Sequence, residues 1–242
     1  MMNNTAAMQL VLLGHGKMGR LIEQLAPERG FAVRAVLDEF NNAGGAGITA
    51  HAFEGAEVCI DFTAPDVVLD NIRRVASLGC NLVVGTTGWH QHLEEVRNLV
   101  QQTGIGMVYG ANFSIGVQLF YRVAEAAAQI IAAFPQYSPY ISETHHRFKK
   151  DAPSGTALEL KQRVERLCAS QPVAVSSVRG GYVPGTHELV FDSEGDTVSL
   201  RHDARSRQGF AEGALHAARW VAGRKGLYTF AEVIAAQFSG HA

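Results

Sequence analysis

Gln9-Leu-Val-Leu-Leu-Gly-His-Gly-Lys-Met-Gly19 is the stretch on which the fold turns. Gln9–Leu13 is a short apolar run of strand length, and Gly14, Gly16 and Gly19 follow it at once in Gly-x-Gly-x-x-Gly spacing. Arg20–Glu28 then sets Leu21, Ile22 and Leu25 on one side, which predicts a helix. Strand, glycine turn and helix in that order are the context a dinucleotide-binding loop requires. Gly14 permits the tight turn, Gly16 lets backbone approach a pyrophosphate, and Gly19 lets the helix pack against the strand. His15, Lys17 and Met18 lie between these glycines and complete the first set of candidate cofactor contacts.

Outward from this loop, strands and helices alternate. Phe31–Leu37 reads as the second strand and ends at Asp38-Glu39. An acid at that distance from the glycines accepts hydrogen bonds from the adenosine ribose hydroxyls and repels a 2′-phosphate. Asp38 therefore predicts NADH as the preferred cofactor, with NADPH still possible through Lys17 or Arg20. Glu57–Phe62, Asn81–Val84 and Gly106–Tyr109 are the next strands, with helices expected from Pro65 to Leu78 and over Trp89–Gln102. The pattern predicts a Rossmann-type, doubly wound parallel sheet whose ligands bind beyond the strands' carboxyl ends. Gly85, Thr86 and Thr87 follow one such end, and Gly110, Ala111, Asn112 and Phe113 another. Both are candidate cofactor contacts; capping of the next helix is the plainer use of Asn112 and Ser114.

Glu143-Thr-His-His-Arg-Phe-Lys-Lys-Asp-Ala-Pro-Ser-Gly-Thr156 joins a strand over Tyr137–Thr144 to a helix over Ala157–Cys168. Pro153 near the first helical position, Ser154 as cap and Gly155 for close approach suit a helix N-terminus that receives an anion. Ser154, Gly155, Thr156 and His146 are therefore candidate substrate contacts. Arg147 and Lys149 are placed to add charge-assisted hydrogen bonds of roughly 1.5–3 kcal/mol each. His145 and Lys149 are the candidate catalytic pair, since neighbouring cations depress the pKa of an imidazole or ammonium toward the range useful for proton donation. On a continuous strand they would stand about 13 Å apart, from ~3.3 Å per residue. They reach one small ring only if the chain bends directly after His145.

Gly116–Phe134 reads as a long Ala-rich helix opening a second domain. Strand-like runs follow at Ala174–Arg179, Thr186–Asp192 and Thr197–Arg201, the last two joined by Ser193–Asp196. An open mixed sheet with helices on one face has edges and a second face to cover, which predicts a homo-oligomer. A helix over Ala211–Val221, the run Gly226–Phe230 and a last short helix complete the chain.

The 242 residues, 47% hydrophobic and 18% charged, describe an ordinary globule with room for a large core. A net charge of −2 gives no reason to expect nucleic acid or an anionic membrane as partner. Cys59, Cys80 and Cys168 are scattered and form no Cys-x-x-Cys pair, which predicts buried free thiols. The polar start, Met1–Met8, has no signal-peptide pattern, and no run approaches the ~20 apolar residues of a membrane span. A cytoplasmic protein is expected. Adjacent histidines diverge and no third ligand has metal-site spacing, so no metal is expected.

His145-His-Arg-x-Lys149-x-Asp151-Ala-Pro-Ser-Gly-Thr-Ala157 resembles the signature of the bacterial dihydrodipicolinate reductase family, of the lysine and diaminopimelate pathway. Asp61-Phe-Thr63, Gly85-Thr-Thr-Gly88 and Asn112-Phe-Ser114 match that family's pattern in order, so the resemblance spans roughly residues 9–236. Phe148 stands for a commoner His and Lys150 for an apolar residue; Glu39 replaces an Arg that helps many relatives admit NADPH. The resemblance implies a nucleotide-binding domain over 1–115, joined by 208–242, and a substrate-binding and oligomerisation domain over 116–207. It also implies a homotetramer built through the second sheet. The activity it implies is NAD(P)H-dependent reduction of a small anionic dicarboxylate, 4-hydroxy-tetrahydrodipicolinate (dihydrodipicolinate), to tetrahydrodipicolinate. The alternatives are another two-domain amino-acid or aldehyde dehydrogenase, or a non-catalytic NADH-binding regulator.

Overall fold

The computed structural model describes residues 6–168 and 172–238. The first five residues of the polar start and the last four of the 208–242 segment lie outside the described residues. In chain order the elements begin β1 (Met8–Leu13), α1 (Lys17–Leu25), β2 (Phe31–Leu37), β3 (Val58–Asp61), α2 (Val68–Ser77) and β4 (Asn81–Val84). They continue α3 (Leu93–Thr103), β5 (Gly106–Tyr109), α4 (Ile115–Ile131), β6 (Ser138–His145), α5 (Gly155–Leu167) and β7 (Ala174–Arg179). Last come β8 (Gly185–Asp192), β9 (Thr197–Ala204), α6 (Gln208–Val221), β10 (Gly226–Thr229) and α7 (Phe230–Ala236).

One compact unit runs to Ser114 and resumes at Phe210; the other is Ile115–Gly209. The first holds a six-stranded sheet, β10-β5-β4-β3-β1-β2, in which every pairing is parallel. All four residues of β3 and the last four of β1 are buried, as a parallel sheet covered on both faces demands. On one face Val11, Leu13, Cys59, Leu82, Val84 and Met107 pack against Val68, Ile72 and Val75 of α2 and Val96 and Val100 of α3. Strand order reverses at β1, so the carboxyl ends of β1 and β3 flank the position where such sheets bind ligands.

Several helix boundaries differ from the sequence reading. The first helix begins at Lys17, inside the glycine loop, because Gly16 is itself the cap residue, with extended backbone. It stops at Leu25, and Pro27 opens a separate 3-10 turn ended by Gly30 in the left-handed region. Trp89 is not helical: its ring is buried beside Tyr109, and α3 starts only at Leu93. Likewise α2 starts at Val68, three residues past Pro65.

The second unit is a mixed four-stranded sheet, β7-β6-β8-β9, with β6 and β7 parallel and the other neighbours antiparallel. Ile141, Leu189 and Phe191 cover one face together with Val117, Phe120 and Ala124 of α4 and Leu160 and Val164 of α5. The opposite face carries Tyr140, 41% exposed, and Val178, 53% exposed, among Ser142, Thr144 and Ser176. The described cysteines are all buried and unpaired. No helix among the described residues is long and apolar enough to cross a membrane.

Candidate active site

In the first unit the glycine loop has the shape that a dinucleotide needs. Gly14 has φ +89, and a Cβ there would lie 2.5 Å from the Phe62 carbonyl oxygen. A Cβ on Gly19 would lie 2.0 Å from the Gly14 oxygen, so α1 meets the loop backbone to backbone. A Cβ on Gly16 would touch nothing within 4 Å, and no side chain caps α1. The helix start therefore offers its N–H groups to an anion from outside. Arg20 donates through Nε to the His15 carbonyl, and the His15 ring pairs with Glu23 at 2.7 Å. Lys17 is exposed and Met18 half-buried at the same helix start.

Asp38 ends β2 as expected, but its Oδ1 accepts from the N–H groups of Phe40 and Asn41, at 3.0 and 3.3 Å. That turn holds the carboxylate at the strand end. The Gly85–Gly88 turn is held from two sides. Thr86 donates through Oγ1 to buried Asp61 at 3.1 Å, and its carbonyl accepts from the Trp89 indole at 3.0 Å. Asp61 also accepts from Thr63 and Asn71; burial nonetheless raises its pKa, outweighing those bonds. Gly85 has no room for a side chain, since its Cβ would meet the Phe62 ring at 2.1 Å. From sequence Asp61 appeared only within the Asp61-Phe-Thr63 match, because the Thr86 it holds is 25 residues on and comes near only through the pairing of β3 with β4; Trp89 was read as part of a helix. Asn112 accepts from the Ser114 N–H at 2.8 Å just before α4, while Gly110, Ala111 and Phe113 complete the β5 end. These residues fit a pyridine dinucleotide: an open helix start, an acid past β2 and two shaped turns at β4 and β5.

In the second unit β6 stops at His145 and the chain turns at once, the Lys149 N–H donating to the His146 carbonyl at 3.0 Å. The bend needed for His145 and Lys149 to act together is thus present. The Lys149 ammonium pairs with Asp151 at 2.8 Å. Asp151 also accepts from the Gly155 N–H, and its pKa is lowered, chiefly by the Lys149 bond. A carboxylate of the chain itself thus sits against the first turn of α5, which has the partners expected for an anion. Thr156 is half-buried beside it, its carbonyl accepting from Tyr121 at 3.2 Å.

Three sequence expectations change here. Pro153 is not in the helix; it follows a cis peptide and precedes the cap. Ser154 is the cap, its Oγ accepting from the Ala157 N–H at 3.2 Å. That hydroxyl is also within 3.1 Å of His187, and the residue is 1% exposed, so its side chain is committed inside the fold rather than to a substrate. Arg147 lies over Phe148 and Tyr182 and donates to the Tyr182 hydroxyl at 2.7 Å, an exposed cluster of its own. His146 is half-buried at the bend, its backbone N–H bonded to Val183.

The sheet adds residues that the linear motif does not reveal. Glu143, fully buried, stands opposite Ser177 in β7 and His187 in β8. Its Oε1 accepts from the Ser154 N–H at 2.9 Å and from Ser177 Oγ and Arg179, each at 2.7 Å. Its Oε2 faces His145 Nδ1 at 3.0 Å and His187 Nε2 at 3.7 Å. Burial works to raise the Glu143 pKa, but the bonds from Ser154, Arg179 and Ser177 prevail and hold it down at about 2. Burial lowers the His145 pKa, Lys149 and Arg179 lower it further, and Glu143 opposes them. Glu143, His145 and His187 present possible ligand atoms within 4.8 Å of one another, but the Arg179 guanidinium already answers the carboxylate charge. The signal was in the alternation: Glu143 and His145 share the buried phase of β6, and a buried carboxylate demands partners.

His187 makes a prediction about stability. Burial, then nearby His145, push its pKa down to about 4 from 6.5. Between those values the unfolded chain binds the proton that the folded chain refuses. This contribution is complete above pH 6.5 and is lost as the pH falls toward 4, about 3 kcal/mol in all. His145, His202 and His216 shift in the same direction. Urea unfolding at pH 7.5 and 4.5 should show that loss, and His187→Asn should make it smaller, leaving the part that His145, His202 and His216 contribute.

Comparison with known proteins agrees with both units. The model for the N-terminus of dihydrodipicolinate reductase matches residues 8–113, and that for its C-terminus matches 116–234. A 4-hydroxy-tetrahydrodipicolinate reductase of Christiangramia forsetii is 32% identical over 244 residues, covering 96% of this chain and 99% of the relative. That of Thiobacillus denitrificans is 36% identical over 256 residues, covering 90% and 95%. Among solved structures, dipicolinate-bound dihydrodipicolinate reductase from Paenisporosarcina sp. TG-14 has the same fold, with TM-score 0.78 and 24% identity over 93% of this chain and 98% of that one. Glycine loop, pinned turns and the His145–Thr156 bend thus occur in a chain matched over most of its length by one family's two halves, and this protein belongs to the dihydrodipicolinate reductase family.

Proposed function

We propose that this chain reduces 4-hydroxy-tetrahydrodipicolinate to tetrahydrodipicolinate in lysine and diaminopimelate biosynthesis, with His145 as proton donor and Lys149 as its partner. The observation that carries the residue assignment is the bend directly after His145, which lets the imidazole and the Lys149 ammonium interact electrostatically. Loss of water from the hydroxy substrate leaves a conjugated C=C–C=N ring. When bound, a reduced nicotinamide supplies hydride to C4 of that ring. Negative charge then spreads over the conjugated system, and the His145 imidazolium quenches it by donating a proton. General acid catalysis of this kind contributes ~10²–10⁴-fold.

The ring's carboxylates take the place that Asp151 holds at the start of α5, accepting from the Gly155 N–H, the Thr156 hydroxyl and Lys149. His146 stands at the same bend. That a solved protein of this fold holds dipicolinate, a ring dicarboxylate, accords with this ligand class. The direct test supplies substrate in situ from pyruvate and aspartate semialdehyde with the preceding synthase and follows nicotinamide oxidation at 340 nm. No substrate-dependent oxidation with either cofactor would refute the activity.

NADH is the preferred cofactor on this reading. Asp38, followed by Glu39, sets a negative group where NADPH would bring a 2′-phosphate. The same assay should give a higher kcat/KM for NADH; a tenfold advantage for NADPH would overturn the preference. The working form is a homotetramer assembled through the outer face of the second sheet, where Tyr140 and Val178 lie among small polar side chains. Light scattering on the purified protein should give four times the 26.1 kDa chain mass, and a monomer would exclude it.

A further inference from the structure

We infer that Glu143 is a positioning residue for His145: its Oε2 keeps the proton of the neutral imidazole on Nδ1 and so reserves Nε2 for exchange with the substrate. The inference rests on the proposed role of His145 as proton donor and names what makes that role directional.

Glu143 and His145 are two residues apart on β6, so their side chains leave the same face of the sheet. The two carboxylate oxygens do different work. Three donors from two elements, the Ser154 N–H at the start of α5 and Ser177 Oγ and Arg179 of β7, converge on Oε1 and lock the plane of the group. Oε2 receives none of these and lies 3.0 Å from His145 Nδ1. Both atoms are buried and, as the ring stands, no hydrogen bond closes between them; the other group facing Oε2 is His187 Nε2, farther off at 3.7 Å. If Nδ1 lacked its proton, a lone pair would face a carboxylate oxygen inside the fold. A small rotation of the ring instead completes an N–H···O bond.

The other nitrogen is kept open by a missing side chain. A Cβ on Gly185 of β8 would lie 2.9 Å from His145 Nε2 and 3.2 Å from Cδ2. Any larger residue there would press on Nε2 and displace the ring. Glu143 thus holds one end of the ring, and Gly185 leaves room at the other.

The charged and titratable groups around His145 come from every neighbouring strand and the bend. They are Glu143 on its own strand, Lys149 and Asp151 in the bend, Arg179 on β7, and His187 on β8 with its ring centroid 5.0 Å away. Glu143 is the negative group nearest the imidazole and opposes the two cations and the burial that favour the neutral ring. It thereby favours the charged ring, the form that donates the proton.

Two measurements test this on the full-length protein. The ¹⁵N spectrum of the wild type, with His145 assigned by comparison with His145→Gln, should show the Nδ1–H tautomer once the ring is neutral. An Nε2–H tautomer would overturn the inference without any variant having to fold. In Glu143→Gln, the alkaline limb of the kcat profile should move at least one unit lower, so that turnover at pH 8 drops tenfold or more while KM for NADH is unchanged. Reduced turnover with the limb in its original place would mean that Glu143 serves only the fold, and the inference would fall. If His145→Gln keeps its turnover while the wild type shows the Nδ1–H tautomer, the proton-donor reading fails and the geometry of the pair stands.

Discussion

Replacing His145 by Gln, or Lys149 by Cys, should lower kcat by ~10²–10⁴-fold, with NADH affinity intact. That range corresponds to about 3–5 kcal/mol of lost transition-state stabilisation. Glutamine keeps much of the volume of the imidazole and can still donate a hydrogen bond, but it has no proton to give up near neutral pH. Structural loss is therefore a small part of its expected effect. The two variants should differ in KM. Lys149 is paired with Asp151 at the start of α5, the place proposed for a substrate carboxylate, so its removal weakens ground-state binding as well. Steady-state kinetics with enzymatically generated substrate, alongside NADH titration by fluorescence, separates these effects. Turnover near wild type in both variants would remove His145 and Lys149 from the mechanism.

Gly19→Ala should destabilise the nucleotide-binding unit and weaken NADH together, whereas Gly16→Ala should weaken NADH alone. The Cβ added at Gly19 meets a backbone oxygen at 2.0 Å, and no side-chain rotation relieves it. The helix must move away from the loop, at a cost at the upper end of the ~1–3 kcal/mol typical of overpacking. For a protein of this size that lowers Tm by roughly 6–12 °C. Gly16 is different: its φ of −74 suits any residue and its Cβ would meet no protein atom. An alanine there intrudes only on a ligand that approaches the backbone. Thermal melts with and without NADH distinguish the two. Equal Tm for Gly19→Ala and wild type would show that the helix–loop contact is not as close as described.

The parallel sheet was legible because a strand buried on both faces leaves few alternatives to a continuous apolar run. Phe31–Leu37, Asn81–Val84 and Gly106–Tyr109 of that sheet were read with the bounds the structure shows, as was Ala174–Arg179 of the second sheet. Helix starts were harder. The glycine loop and the Trp89 segment carry helix-compatible residues, and only tertiary contacts, the Gly14–Gly19 approach and the burial of Trp89, decide where the first turn closes. Ser154 shows the same limit in the site. Its position after Pro153 marks it correctly as a cap, but its burial against His187 removes its hydroxyl from the surface, and that depends on a strand more than thirty residues later.

The sequence alone determined what short-range chemistry can encode. It marked a strand–glycine–helix unit for a dinucleotide, an alternating series that builds a parallel sheet, and a run of histidine, lysine and capping residues dense enough to mark one site. It could not say which way the His145 imidazole faces, because local spacing orders side chains along a chain but not across a sheet. Pairing β6 between β7 and β8 sets Ser177 and Arg179 on one side of Glu143 and His187 on the other, and only that register leaves a single carboxylate oxygen for Nδ1. The carboxylate keeps its charge there because three donors outweigh the cost of burying it, a balance that exists only once the sheet has formed.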